Sequence, residues 1–163
     1  MILPKHELQE RKAVSGFLSD SQFQPAGVDL TLREAFSFSS EGSVDFDNSE
    51  RKLAETKPLA FDEKGGLHLP KGAYKVVYNE IVSIPSDCAG LAYPRSTLLR
   101  CGAFLHCAVW DPGYNGRSES LLVVENEKGI RLKKNAKLVQ LILIKLTGDA
   151  KETYKGKYHN ENL

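Results

Sequence analysis

Little in this chain is in excess, and its scarcities exclude more than its composition proposes. Three thiols, Cys88, Cys101 and Cys107, are an odd number without CxxC spacing. That argues against a disulfide-stapled framework and against a structural zinc site. They read as free, buried thiols suited to a reducing compartment, so the cytoplasm is the expected location. Charge of one sign is missing too: 22 Lys and Arg against 21 Asp and Glu leave a net charge of +1, so no basic field awaits DNA or RNA. Any anionic ligand has to be gripped locally. The longest apolar run, 138–144, contains Gln140 and is far too short to cross a bilayer, so no membrane partner is expected. Met1-Ile2-Leu3-Pro4 leads straight into charged residues, which argues against a secretory leader.

What is present is a succession of short alternating segments. Val28, Leu30 and Leu32 alternate with Asp29, Thr31 and Arg33, which predicts a strand with one buried face after the turn Gln24-Pro25-Ala26-Gly27. Further strand candidates at 67–70, 74–77, 81–84, 103–110, 120–125, 130–132 and 138–146 are punctuated by Gly and Pro. The polar stretch 34–66 reads as loops and hairpins. Two short helices are expected, over 4–12 and over 94–100, with Gly102 ending the second. So many short strands with so little helix predict an all-β barrel or jelly roll, a single domain over 1–163. Its polar end, 154–163, is expected to be a mobile arm.

Chemistry concentrates between Pro94 and Arg117. Arg95, Ser96 and Arg100 supply planar and hydroxyl donors that match phosphate oxygens. The same residues also read as a plain helix start, with Ser96 as N-cap and the arginines solvated. Asp111 opens the turn Asp111-Pro112-Gly113-Tyr114-Asn115-Gly116, where a carboxylate can orient or deprotonate a water. Trp110 and Tyr114 bracket it, which a bare polar hairpin does not need, and Tyr114 can wall off a sugar ring. Asp29 either caps its turn or serves the site. Gln140 in an apolar strand must find polar partners, backbone or phosphate. His106 reads as a core or interface histidine, and His6, His68 and His159 are too dispersed to form a metal site with it. Phosphate donors beside a water-activating acid point to phosphoester or nucleotide chemistry.

Taken in order, four segments resemble the motifs of the superfamily that joins dUTP diphosphatases and dCTP deaminases. Ala26-Gly27-Val28-Asp29-Leu30 is similar to the A-G-x-D-L type, and Pro94-Arg95-Ser96-Thr97-Leu98 to G-R-S-S-L. Ala108-Val109-Trp110-Asp111-Pro112-Gly113-Tyr114-Asn115-Gly116 resembles G-V-I-D-x-x-Y-x-G, and Lys137-Leu138-Val139-Gln140-Leu141 resembles R-I-A-Q-L. The end of the chain, Tyr154-Lys155-Gly156-Lys157-Tyr158, is similar to the deaminase ending K-Y-x-x-Q, with Glu161 where Gln would stand. The resemblance implies a distorted, dUTPase-like β-barrel of jelly-roll type. It also implies a homotrimer with shared active sites, a small-molecule nucleotide as ligand, and Mg²⁺ held mainly through the triphosphate.

The implied roles follow residue by residue. Asp111 would activate the attacking water, and Arg95, Ser96, Thr97, Arg100 and Gln140 would hold the phosphates. Backbone groups from His106 to Val109 would read the uracil edge, and Tyr114 would pack on the deoxyribose. Asp29 would support metal-bound waters or the sugar, while Lys157 and Tyr158 would close over the phosphates. Deaminases of the superfamily carry a glutamate ten residues past that Asp. Direct counting puts Leu121 there, and a two-residue insertion puts Val123 there; both are apolar and expected to face the core. The resemblance therefore implies dUTP hydrolysis to dUMP and pyrophosphate on a deaminase-like scaffold. The alternatives are a dCTP deaminase that uses Glu119 or Glu125, and a catalytically silent nucleotide-binding regulator.

Overall fold

The computed structural model describes residues 1–163. In chain order the elements are α1 (Lys5–Glu10), β1 (Val14–Ser15), a 3-10 turn at Asp20–Gln22, β2 (Phe23–Gln24), β3 (Gly27–Phe38), β4 (Thr56–Pro58), β5 (Gly66–Leu69) and β6 (Gly72–Tyr78). They continue with β7 (Ile81–Ser83), β8 (Cys88–Pro94), α2 (Ser96–Arg100), β9 (Ala103–His106), β10 (Asn115–Gly116), β11 (Glu119–Val124), β12 (Ile130–Lys133) and β13 (Lys137–Lys145). The all-β expectation holds, with two short helices where the sequence placed them.

Strands β8, β13, β3, β6, β11 and β9 pair in that order, with β2 and β4 alongside β3, into a nearly closed barrel. A three-stranded sheet, β1-β7-β10, and the pair β12-β5 complete the molecule. Strand β13 lies between β8 and β3, so Leu138, Val139, Leu141 and Leu143 are all buried. Leu30, Leu32, Val76, Leu122 and Val124 join them in one core cluster. Each such side chain contributes about 1.5–3 kcal/mol on burial, and truncating one to Ala costs about 2–5 kcal/mol.

The first and last strands of the barrel, β8 and β9, are not paired with each other. One exchange of backbone hydrogen bonds, Gly90 to Trp110 at 2.8 Å and Trp110 to Gly90 at 3.0 Å, draws β8 to the segment that follows β9.

Several expectations need correction. Strand β3 is buried on both faces through Leu32, because Gln22 and Glu80 cover the polar side that carries Asp29 and Thr31. Strand β9 stops at His106, and β8 had no periodic signal. Its sequence, Cys-Ala-Gly-Leu-Ala-Tyr-Pro, holds no β-branched residue and is set in place by its neighbour β13. The N-cap of α2 is Arg95, making Ser96 the first helical residue. Of the thiols, Cys88 is buried, Cys107 half-buried and Cys101 exposed. On β11 the core-facing residues are Ser120, Leu122 and Val124, so Leu121 and Val123 lie on the opposite, half-buried face with Glu119.

Candidate active site

Most of the sequence-predicted residues gather into two cavities that share no lining residue. The first is built on β3, β8 and β13. At Gly27 a Cβ would lie 2.5 Å from the Leu141 carbonyl and 2.8 Å from the Gln140 amide, so only glycine lets β13 approach there. That approach sets Gln140 opposite Asp29 in the ladder, while Tyr93 opposes Gln140 from β8. Asp29 is 1% exposed. Its Oδ2 accepts hydrogen bonds from Gln24 Nε2 at 2.9 Å and from Arg95, with Lys137 Nζ at 3.2 Å. Its Oδ1 is buried without a partner. A buried carboxylate needs such cations and donors, because the desolvation cost otherwise exceeds the gain.

Asp29, Arg95, Ser96 and Gln140 line one cavity of about 360 Å³. Thr97 and Arg100 do not join them: both are exposed on α2, and Arg100 donates to the Ser96 carbonyl at 3.0 Å. The guanidinium of Arg95 is committed to Asp29 at one nitrogen and keeps its remaining donors, in a planar fork that fits phosphate oxygens.

The second cavity, about 230 Å³, is lined by Val109, Asp111, Tyr114, Glu119, Tyr158 and Glu161 among others. Gly113 adopts φ +81, which turns the chain sharply and leaves Asp111 exposed at the rim. Behind the turn runs a buried polar chain. Trp110 Nε1 donates to Ser118 Oγ, the Tyr114 hydroxyl lies 3.1 Å from that oxygen, and the same hydroxyl donates to Glu161 at 2.7 Å. Burial pushes the Tyr114 hydroxyl up. Burial also raises the Glu161 carboxyl, reinforced by Glu119 and opposed by the Tyr114 hydrogen bond.

Residues 154–163 pack against this turn. Tyr154 N donates to Pro112 at 2.7 Å, Asn160 N to Asn115 at 2.7 Å, and Arg117 N to Glu161 at 3.0 Å. The Tyr154 ring meets Tyr114 edge-on at 5.7 Å. Lys157 is exposed and lies outside the cavity that Tyr158 lines.

Between the two cavities, where β8 and β9 part, lies a mostly apolar slot of about 420 Å³ that includes Tyr93, Pro94, Leu105, His106 and Ala108. His106 is exposed, its ring edge-on to Phe104 at 5.3 Å. Cys107, also lining the slot, accepts from Ser120 Oγ at 3.1 Å, and burial pushes its thiol up, so it stays neutral.

Sequence reasoning missed Gln24, Lys137, Ser118 and Glu161 as site components. Gln24 and Lys137 lie inside or beside the motif segments, so their signal was available. Glu161 was visible only as a departure from a deaminase-type ending, and Ser118 gave no signal.

A family model described as dCTP deaminase-like matches residues 2–146, and the chain belongs to that family. It is 55% identical over 143 residues to a protein of Methanosarcina acetivorans named probable deoxyuridine 5'-triphosphate nucleotidohydrolase, covering 88% of this chain and 84% of that one. The deoxyuridine 5'-triphosphate nucleotidohydrolase of Methanocaldococcus jannaschii is 40% identical over 142 residues, covering 86% and 89%. In fold, the chain resembles the crystal structure of a 2'-deoxycytidine 5'-triphosphate deaminase from Agrobacterium tumefaciens, with TM-score 0.63 and 21% identity. That match covers 87% of this chain and 47% of the deaminase, so the present chain spans about half of it.

Proposed function

We propose that this protein is a dUTP diphosphatase, cleaving dUTP to dUMP and pyrophosphate and so limiting uracil in DNA while supplying dUMP. The relatives named for that reaction support it, and one observation on β11, the ladder neighbour of His106, carries it. In the β9–β11 ladder the residue opposite His106 is Leu121, and Val123 follows on the same face. A cytosine held beside this strand meets methyl groups where a deaminase needs a proton shuttle. Glu119 does line the Asp111 cavity, but Lys75 Nζ lies 2.9 Å away and holds it as an ion pair. Glu125 is exposed and pairs with Lys71 at 3.5 Å.

In this reading Asp111 orients a water and takes its proton as the oxygen attacks the α-phosphorus. The bond to the bridging oxygen breaks, pyrophosphate leaves and dUMP remains. Ser96, Gln140 and the free donors of Arg95 hold phosphate oxygens, and Tyr114 packs on the deoxyribose once Tyr154 yields its place. No group of three His, Cys, Asp or Glu side chains is arranged to hold a metal, and the cations on Asp29 oppose direct ligation. Mg²⁺ therefore fits as part of the substrate, carried by the triphosphate, where it neutralises phosphate charge. The orphan Oδ1 of Asp29 suits a water of that ion.

We infer a homotrimer with shared sites. The phosphate donors and the water-activating acid lie in separate cavities, and a polyanion cannot thread the apolar slot between them, so a neighbouring copy completes each site. Exposed Tyr93 and Val109, one lining each cavity, suit such contacts. No helix is long and apolar enough to cross a membrane. Three unpaired cysteines fit a reducing cytoplasm.

The test is incubation with Mg-dUTP and, separately, Mg-dCTP, assaying pyrophosphate and ammonia. Pyrophosphate from dUTP with no ammonia from dCTP is expected. Steady ammonia release that disappears in Glu119→Gln would replace this reading with a deaminase.

A further inference from the structure

The turn between β6 and β7 buries a carboxylate that the proposed reaction does not use. Glu80 is 0% exposed. Its Oε1 accepts from Gln22 Nε2 at 2.7 Å and Thr31 Oγ1 at 2.6 Å, and its Oε2 accepts from the Thr31 amide at 2.8 Å. Three neutral donors and no cation surround it, an expensive way to fill a core. What the chain obtains is a group that accepts on both oxygens and donates on neither, which an amide cannot imitate.

The grip falls at Asp29 and two residues beyond it. Gln22 Nε2, besides bonding Glu80, donates to the Asp29 carbonyl at 2.8 Å. Gln22 is itself anchored, its Oε1 accepting from Leu18 N at 2.6 Å and Ser19 N at 3.1 Å. The Thr31 amide is held directly. Asp29 is thus pinned through its own carbonyl and through the second residue after it, while its carboxylate reaches Arg95. The neighbouring Asn79 adds a further tie, donating to Thr31 Oγ1 at 2.9 Å.

We propose that Glu80 is a positioning residue for triphosphate recognition. Its carboxylate fixes the pitch of β3 at Asp29, and Asp29 in turn aims Arg95 into the cavity it shares with Ser96 and Gln140. The inference rests on the nucleotide reading above and adds a residue that touches no substrate.

Direct binding separates the two. Inorganic tripolyphosphate and deoxyuridine, probing the phosphate and nucleoside halves, are titrated calorimetrically into wild type, Glu80→Gln and Thr31→Val. Losing one charge-assisted hydrogen bond is expected to weaken tripolyphosphate binding about tenfold in Glu80→Gln, and less in Thr31→Val, with deoxyuridine binding unchanged. In turnover, KM for Mg-dUTP rises while kcat falls by less than about threefold. A role in folding alone would lower the active fraction, reducing kcat and both binding stoichiometries at unchanged affinity; that outcome overturns the proposal. Unchanged tripolyphosphate affinity overturns it too. Should Glu80→Gln fail to fold, Thr31→Val carries the same decision. A wild type that binds tripolyphosphate but releases no pyrophosphate from dUTP sinks the diphosphatase reading and leaves the Glu80 comparison intact.

Discussion

Asp29 lies 1% exposed in a 12-residue strand, gripped by Arg95, Lys137 and Gln24, whereas Asp111 stands exposed at the start of a turn. The first is a carboxylate whose charge is already satisfied, set in a ladder between two strands. The second has its charge available and a backbone that a glycine at positive φ turns sharply. A group that aims other groups benefits from rigidity; a group that must take a proton benefits from solvent and from neighbours that move. The residues behind the two carboxylates differ in the same sense: ion pairs and strand backbone behind Asp29, hydroxyls, aromatic rings and the end of the chain behind Asp111.

The sharpest way to break this contrast is Asp111→Asn. It should cut dUTP turnover at least about a hundredfold, as loss of a general base does, with the urea midpoint unmoved. Near-normal turnover would move the water-activating role elsewhere in the cavity, with Glu119 the next acid to test. Arg95→Leu should cost stability as well as phosphate binding. It leaves a buried carboxylate short of a partner, so about 1–3 kcal/mol of stability should be lost, toward the low end because Lys137 remains and the Arg95 side chain is 35% exposed. Urea unfolding of Arg95→Leu, Asp29→Asn and the double variant forms a cycle; strict additivity would mean that the pair is not coupled.

Removing residues 154–163 probes the softer half. Catalysis should weaken while the melting temperature drops only about 2–4 °C, the shift that roughly 1 kcal/mol produces in a domain of this size. Collapse of the barrel in calorimetry would make the segment part of the core instead of a cover.

The smallest effect is a pH dependence of that cover. Glu161 is raised when docked, so the docked state binds the proton more tightly than the released one. Docking is therefore favoured below the ordinary glutamate value of 4.5 and loses this contribution as pH rises through the raised value. Hydrogen exchange of the Asn160 and Glu161 amides should be better protected at low pH once corrected for intrinsic rates. Glu161→Gln should flatten that dependence.

How far the sequence reached follows the same division. Alternation and motif spacing located β3, α2, β11 and β13, because their side chains read the local environment of the strand. The family resemblance, and not the alternation, assigned Ser96 and Gln140 to phosphate and Asp29 to metal-bound waters or the sugar; the structure sets the three along one cavity. Strand β8 escaped because its pairing comes from β13, not from its own small residues. Leu121 and Val123 were assigned to the wrong face because alternation gives a period and not a direction. Glu80 was invisible: a lone glutamate in a turn is ordinarily solvated, and only the folding of Gln22 and Thr31 over it makes it a buried acceptor. The role of Glu161 depends on contacts with Tyr114 and Arg117, which no local pattern encodes.

The position of β3 also bears on how the protein is made. Its ladder partner β13 lies roughly a hundred residues downstream, so at typical translation speeds β3 waits on the order of ten seconds for the neighbour that completes it. During that interval Asp29 has neither Lys137 nor Gln140 beside it, and the strand exposes an open edge to other nascent chains. Arg33 and Glu34, adjacent exposed charges, follow that edge on the stretch of β3 that pairs with β6. The cavity that Asp29 shares with Gln140 is thus completed only once β13 has emerged, and the Asp111 cavity later still, when Tyr154, Tyr158 and Glu161 follow.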